Sequence, residues 1–206
     1  VDFLISSGDA EDEAGDEAEF TAVIEGVPIR VVPIIDLADS SSDWSRDGIQ
    51  GVNGWYYGYY SQRDDADGSY QSGDFQQFDD LSWNRSRWQI PGGAFDTTVQ
   101  STSLTPHADA NAVHWPIRRW VSTFTGNVSV QWELSKSTSV TGDGVTGRVF
   151  HNGVEVDSFQ IAANDRTGVE RTVEVFGVNA GDKIDIALDP TGLDGDPLQP
   201  DATGDR

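Results

Sequence analysis

The chain has 206 residues, a formal net charge of −22 and no Cys. This length fits one domain, or one domain with an additional arm. The absence of Cys excludes a disulfide framework, a thiol nucleophile and Cys-ligated metal sites. The charge argues against nucleic acid as a partner, because phosphate binding requires concentrated Lys and Arg. No apolar run approaches the roughly 20 residues that a membrane-spanning helix needs.

The acidic excess has the amino-acid composition that is typical of proteins from organisms of high-salt habitats. Asp outnumbers Glu, and Lys is present only as Lys136 and Lys183. At molar salt the Debye length falls to about 3 Å, so the mutual repulsion of many carboxylates is screened. We therefore expect a halophilic protein that weakens in low salt, with an acidic mesophilic protein as the alternative.

Several features favour a location outside the cell. The chain begins at Val1 and contains no Met, as expected after removal of either an initiator Met or a signal peptide. The triplets that begin at Asn84 and Asn127 both match the N-glycosylation acceptor pattern. Together with the acidity and the absent Cys, they predict an extracellular protein of a high-salt habitat, on an archaeal cell surface or a virion.

The first 35 residues differ in character from the rest. Residues 6–19 are small and acidic, a composition that predicts a flexible arm. Two apolar runs, residues 20–24 and 27–32, then flank Glu25-Gly26 and predict two strands joined by a tight turn. We predict that residues 1–35 form an arm and a β-hairpin, and that residues 36–206 form the main domain.

Short apolar runs bounded by Gly, Asp, Asn or Ser continue along the chain, and each predicts a strand. They are Trp55–Tyr60, Trp83–Ile90, Val113–Thr125, Asn127–Leu134, Gly144–Phe150, Val154–Ala162, Glu170–Phe176 and Lys183–Leu188. The pair Asn152-Gly153 between two of them predicts a two-residue hairpin turn. No segment has a sustained helical period. The sequence therefore predicts an all-β protein, an antiparallel β-sandwich of jelly-roll type.

Four segments in order carry a family resemblance. They are 39–60 with Asn-Gly-Trp-Tyr-Tyr-Gly-Tyr, 115–130 with Arg-Arg-Trp, 142–153 with Gly-Asp-Gly, and 181–203 with Gly-Asp-Lys-Ile-Asp and Asp-Pro. The chain resembles an uncharacterised, carbohydrate-binding-like β-sandwich domain of secreted bacterial and archaeal proteins. The resemblance covers about residues 36–203. It implies a sandwich fold and a glycan-related setting, and it implies no catalytic motif.

The chain departs from that family at its C-terminal end. In the family, the Asp-x-Thr element precedes a closing strand of the form Phe-Thr-x-Thr-Ile, whereas only three residues follow Asp201-Ala-Thr203 here. A segment of the missing kind lies near the other end: Phe20, Thr21, Ala22, Val23 and Ile24. A sandwich without its last strand leaves edge backbone unpaired.

Three arrangements of this segment are open. It fills the edge of the next subunit by β-strand addition, which produces a head-to-tail filament, or it fills the edge of its own chain. In the third arrangement it is an ordinary first strand, and the last strand is either truncated from the sequence or absent without consequence. If strand donation is correct, deleting residues 1–26 abolishes assembly.

Aromatic side chains provide the candidate glycan contacts, because the faces of sugar rings pack on aromatic faces. Strand alternation places Trp55, Tyr57 and Tyr59 on one side of a sheet. Trp83 and Trp88 flank a polar, Arg-containing stretch and are candidates for exposed aromatics that face a glycan or a neighbouring subunit. Packing in the core is the alternative for the aromatic side chains.

Metal and catalytic motifs are weak. A loop rich in carboxylate oxygens suits a structural Ca²⁺, and its candidate ligands are Asp189, Asp194, Asp196 and Asp201. Chance clustering is the alternative in so acidic a chain. The three His residues lack metal-ligand spacing, and no nucleophile elbow is present. We therefore expect no enzymatic activity.

These observations leave three functions open. The first is a non-enzymatic structural or adhesive protein of a halophile that assembles by strand donation into a surface filament. The second is a monomeric carbohydrate-binding module. The third is a surface protein of a haloarchaeal virus, for which closed oligomers are expected in place of filaments.

Overall fold

The computed structural model describes residues 35–91, 97–136, 144–193 and 195. Twelve strands lie in these residues: β1 Trp55–Ser61, β2 Gln76–Gln77, β3 Trp88–Gln89, β4 Thr98–Val99, β5 Leu104–Thr105, β6 His107–Ala108, β7 Val113–Val121, β8 Gly126–Leu134, β9 Val145–His151, β10 Val154–Ile161, β11 Val169–Val178 and β12 Lys183–Asp189. Single 3₁₀ turns occupy Val52–Gly54 and Asp80–Ser82. Every strand pair is antiparallel, which confirms the all-β prediction. The described residues contain no helix with the length and apolar character to cross a membrane.

A large sheet forms the centre of the domain. Its strand order is β10-β9-β12-β7-β1-β2, and β6 pairs with part of β7. The register places Trp55 and Ile184 opposite Trp120 on the two sides of β7, so these three side chains share one face. Strand β7 is buried along its whole length except at Val121, as expected for a central strand that is covered on both faces.

Two smaller sheets pack on that face. One pairs β8 with β11, and the other is β3-β4-β5. Val128 and Trp132 of β8 belong to the same core as Val149 and Ile184 of the large sheet. At Gly147 a Cβ atom would overlap the Trp132 ring, so the two layers approach closely there. The domain is therefore an antiparallel β-sandwich, while the jelly-roll connectivity stays a prediction.

The opposite face of the large sheet has its own aromatic core. It contains Tyr60, Tyr70, Trp115 and Phe150 among its buried residues. The Tyr60 and Trp115 rings meet edge-on at 5.1 Å, and the Tyr70 and Phe150 rings do so at 4.8 Å. Tyr70 belongs to the loop between β1 and β2, residues 62–75, so this loop covers part of the face.

Local predictions had mixed outcomes. The Asn152-Gly153 hairpin is confirmed, since both residues have positive φ and join β9 to β10. The strand predicted over Trp83–Ile90 is wrong, because only Trp88–Gln89 is a strand. The Asn84 Oδ1 atom accepts hydrogen bonds from the backbone N–H groups of Ser86 and Arg87. This side-chain cap turns the backbone and competes with sheet pairing.

The predicted assembly strand, Phe20–Ile24, lies outside the described residues. So does the segment 201–203, after which the family has its closing strand. Apart from Ile35, the described residues belong to the unit Asp36–Arg206. Strand donation therefore stays a prediction.

Candidate functional site

The aromatic residues predicted to face a glycan lie mainly in the core. Tyr57 and Trp88 have 0% exposure and Trp55 has 4%, and the Tyr57 and Trp88 rings stack at 6.1 Å. A sugar has no access to these three rings, which pack between the sheets, so they are corrected to core residues. Tyr59 and Trp83 are half-buried against the same core, and their contact with a glycan stays a prediction.

Asp189 of the predicted calcium loop is occupied by other partners. Its Oδ2 atom accepts hydrogen bonds from Arg148 Nε at 3.0 Å and Nη2 at 2.8 Å, and its Oδ1 atom accepts one from the Thr191 backbone N–H at 2.8 Å. Within the described ranges, no group of three or more His, Cys, Asp or Glu residues is placed to hold a metal ion. The other predicted ligands lie outside those ranges: Asp194, Asp196 and Asp201. Calcium binding there stays a prediction.

The two predicted glycosylation sites are both exposed. Asn84 caps its own turn and donates through Nδ2 to Gln89 Oε1 at 2.9 Å. Asn127 accepts a hydrogen bond from the Gly177 backbone N–H at 3.1 Å. Neither contact tests modification, which stays a prediction.

An open cleft of about 450 Å³ lies on the face of the large sheet opposite the smaller sheets. Strands β7, β9 and β12 contribute its floor, and the 62–75 loop and the start of β10 contribute its walls. Its principal lining side chains are Gln62, Tyr70, Trp115, Arg148, Glu155 and Asp189. A cleft with a few polar groups over an aromatic floor is the usual form of a small-ligand site.

Arg148 is held in one orientation within the cleft. Its Nε and Nη2 atoms donate to Asp189, as described above, and its Nη1 atom donates to Glu155 Oε2 at 2.6 Å. The guanidinium carbon lies 5.1 Å from the centroid of the Trp115 ring. Burial raises the pKa of Asp189, while its bonds from Thr191 and the charge of Arg148 act in the opposite direction. A guanidinium fixed by two carboxylates offers a preorganised surface to a ligand.

The 62–75 loop is anchored by a buried ion pair. Arg119 donates from Nε and Nη2 to Asp185 at 2.7 and 2.8 Å. The Tyr70 hydroxyl donates to Asp185 Oδ2 at 2.7 Å, and the Ser72 carbonyl accepts from Arg119 Nη2 at 2.9 Å. Burial raises the pKa of Tyr70, and the Asp185 charge acts in the same direction. The cleft wall that carries Gln62 and Tyr70 is therefore fixed to the sheet.

Two polar atoms of the cleft residues lack a hydrogen-bond partner. They are Nε1 of Trp115 and Oε1 of Gln62. The Trp115 residue as a whole is 6% exposed. Both atoms are buried, and neither has a partner among the described residues. A buried polar atom that lacks a partner costs about 1–3 kcal/mol. Unpartnered atoms of the same kind also lie in the core, at Tyr57 Oη and Trp88 Nε1, so it is their place among the cleft residues that singles out Trp115 and Gln62.

The two unpartnered atoms are one donor and one acceptor, so a ligand that bonds to both must offer an acceptor and a donor. The indole N–H only donates, and the amide oxygen only accepts. A hydroxyl group both donates and accepts, so a ligand that carries several hydroxyl groups matches this pair. Sugars are such ligands, and they reach these two atoms only if the Trp115 and Gln62 side chains shift on binding, because both atoms are buried.

Comparison with known proteins gave no match: neither a protein-family model, nor a curated protein, nor a solved structure resembles the chain at a significant level.

The sequence did not reveal the cleft. Trp115 is visible as an aromatic on a long apolar strand, but Gln62, Arg148 and Glu155 have no motif around them. Alternation places Arg148 and Phe150 on one face of β9. It does not reveal that β12 lies between β9 and β7 and so brings Arg148 beside Trp115.

Proposed function

We propose that residues 36–206 form a non-catalytic carbohydrate-binding module, and that the cleft on the large sheet is its binding site. The observation that carries the proposal is the open cleft, whose lining residues Trp115 and Gln62 each hold a buried polar atom without a partner. The family resemblance predicted from the sequence, for which the comparisons gave no match, would imply the same function. In this proposal the module acts outside the cell in a high-salt habitat.

The carboxylates of the cleft support binding over hydrolysis. A glycosidase needs two carboxyl groups that are free to act as an acid and as a base or nucleophile. Here Asp189 and Glu155 both accept hydrogen bonds from Arg148. Glu155 also accepts one from the Ser158 hydroxyl at 2.8 Å. Both carboxylates therefore hold Arg148 in position, and neither is free to act as an acid, a base or a nucleophile.

The test begins with a glycan array in about 3 M salt, where screening is nearly complete, followed by calorimetric titration of each hit. The decisive variant is Gln62→Leu, which removes the unpartnered oxygen at similar side-chain volume. We expect it to weaken glycan binding about threefold to tenfold, the value of one neutral hydrogen bond. We also expect it to stabilise the free protein, because a buried acceptor without a partner has been removed.

The matched control is Gln131→Leu, because Gln131 is exposed on β8, in the smaller sheet that packs on the other face. It should leave both affinity and stability unchanged. An array with no binding above background contradicts the proposal. Glycan binding that is unchanged by Gln62→Leu also contradicts it. A loss of stability in the ligand-free variant would show that Gln62 Oε1 has a partner in solution.

A further inference from the structure

The ionised side chains that line the cleft are unequal in sign. Among the described residues they are Arg148, Glu155 and Asp189, one cation and two anions. Each nitrogen of the Arg148 guanidinium already donates to one of these carboxylates. Arg148 is therefore not an unpaired cation that waits for an acidic ligand.

The rim of the cleft adds negative charge. The 62–75 loop carries Asp64, Asp65 and Asp67 ahead of the lining residues Gly68 and Ser69. The first two are fixed in place, since Asp64 accepts a hydrogen bond from the Ser61 hydroxyl at 2.6 Å and Asp65 accepts one from the Tyr60 hydroxyl at 2.7 Å. These carboxylates do not line the cleft, but their chain neighbours do, so they add negative charge close to it.

High salt does not remove this preference. Salt screens exposed charges over a distance of more than a Debye length, but it screens buried or contacting charges much less. Asp189 is only 1% exposed. An acidic sugar would lose water and place its carboxylate near Asp189 and Glu155 without a free cation to compensate it. An uncharged sugar meets no such cost and still bonds to the unpartnered atoms of Trp115 and Gln62.

We propose that the cleft selects neutral, hydroxyl-rich glycans and rejects glycans that carry carboxylate or sulfate groups. The proposal rests on the carbohydrate-binding function proposed above and names the ligand class of the same site. The observations that carry it are the pairing of Arg148 with both carboxylates and the acidic rim of the 62–75 loop.

The test compares matched oligosaccharides that differ only at C6. Cello-oligosaccharides and β-1,4-manno-oligosaccharides are titrated beside their C6-oxidised, uronic acid counterparts at low and at molar salt. We expect each neutral sugar that binds to do so at least about tenfold more tightly than its acidic counterpart, because placing like charges together at a contact is strongly unfavourable. The preference should persist at molar salt.

A variant links this preference to the cleft. Glu155→Gln removes one carboxylate but keeps an acceptor for Arg148, so the ratio of neutral to acidic affinity should fall about threefold or more. Glu133→Gln, an equal change of charge on β8, should leave the ratio unchanged. Acidic sugars that bind as tightly as neutral ones overturn the charge inference alone. If none of these sugars binds and the array is also blank, the proposed function falls with it.

Discussion

A buried histidine next to the sheet gives the protein a specific response to acid. His114 is 5% exposed, and its Nδ1 atom lies 3.0 Å from the Thr97 hydroxyl oxygen. Burial lowers the pKa of His114 to about 4, His107 acts in the same direction, and Asp64 and Asp109 oppose it. The folded state therefore holds His114 neutral where an unfolded chain would bind a proton.

The sign of the pH dependence follows directly. The contribution of neutral His114 is complete above its ordinary pKa of 6.5 and is lost as the pH falls towards about 4. The loss amounts to at most about 3 kcal/mol. We expect His114→Gln to be less stable than the parent near neutral pH and to lose less stability across this window. Urea unfolding at several pH values and constant salt measures both curves, and parallel curves would contradict the assignment.

Single residues were predicted from the sequence only as far as alternation extends. Adjacent Arg118 and Arg119 must point to opposite faces of β7, and both are buried. Arg119 pairs with Asp185, while Arg118 donates to the Ser40 hydroxyl and to the carbonyls of Gln100 and Ser101. Alternation gives the face of each side chain. The partners come from distant loops, which local sequence does not specify.

At the scale of elements, the β9–β10 hairpin supports the 62–75 loop. Gly153 has φ of +87°, and a Cβ atom there would overlap the backbone nitrogen of Ser72. Gly181 has a similar φ of +94°, but a Cβ atom there would meet nothing within 4 Å. The two glycines therefore share backbone strain on substitution and differ in contact with the loop.

We expect Gly153→Ala to cost about 1–3 kcal/mol more than Gly181→Ala, since it adds a steric overlap to the shared strain. The same substitution should weaken glycan binding, because the hairpin and the loop both line the cleft. Thermal unfolding and titration of both variants in molar salt provide the comparison. Equal losses of stability in the two variants would mean that the 62–75 loop moves away from the added methyl group without a measurable loss of folding free energy.

Elements were predicted well where the signal was local and poorly where a side chain redirected the backbone. The strand predicted over Asn127–Leu134 and the Asn152-Gly153 turn both appear as expected. The run from Trp83 was misread because Asn84 caps a turn and Arg85 takes φ of +75°. The order of strands in the sheet, which builds the cleft, depends on pairings between segments far apart in the chain.

At the scale of the whole molecule, self-assembly stays a prediction. It rests on Phe20–Ile24 as donor strand, which lies outside the described residues. Light scattering in about 3 M salt gives the mass of the intact chain beside a chain that lacks residues 1–26. Strand donation predicts long oligomers for the first and none for the second. Oligomers of equal size in both would exclude the segment as donor.

The chain has a net charge of −22, and one pair of like charges in the β8–β11 sheet opposes folding directly. On the exposed side of the β8–β11 pair, Glu133 stands directly opposite Glu170. Like charges in such a cross-strand pair are destabilising by about 0.2–1 kcal/mol. Salt screens exposed charges of this kind, so this pair should contribute to a requirement for high salt.

The substitution Glu170→Gln removes the repulsion, and we expect it to raise the melting temperature by about 1–3 °C in low salt, from the relation between free energy and Tm for a chain of this size. In molar salt the gain should nearly vanish. Glu174→Gln is the matched control, because Glu174 lies on the same side of β11 but faces Ser129. The control removes the same charge from the molecule, so an equal gain in both variants would mean that total charge, and not this pair, sets the melting temperature in low salt. A larger gain for Glu170→Gln assigns part of the effect to the cross-strand pair.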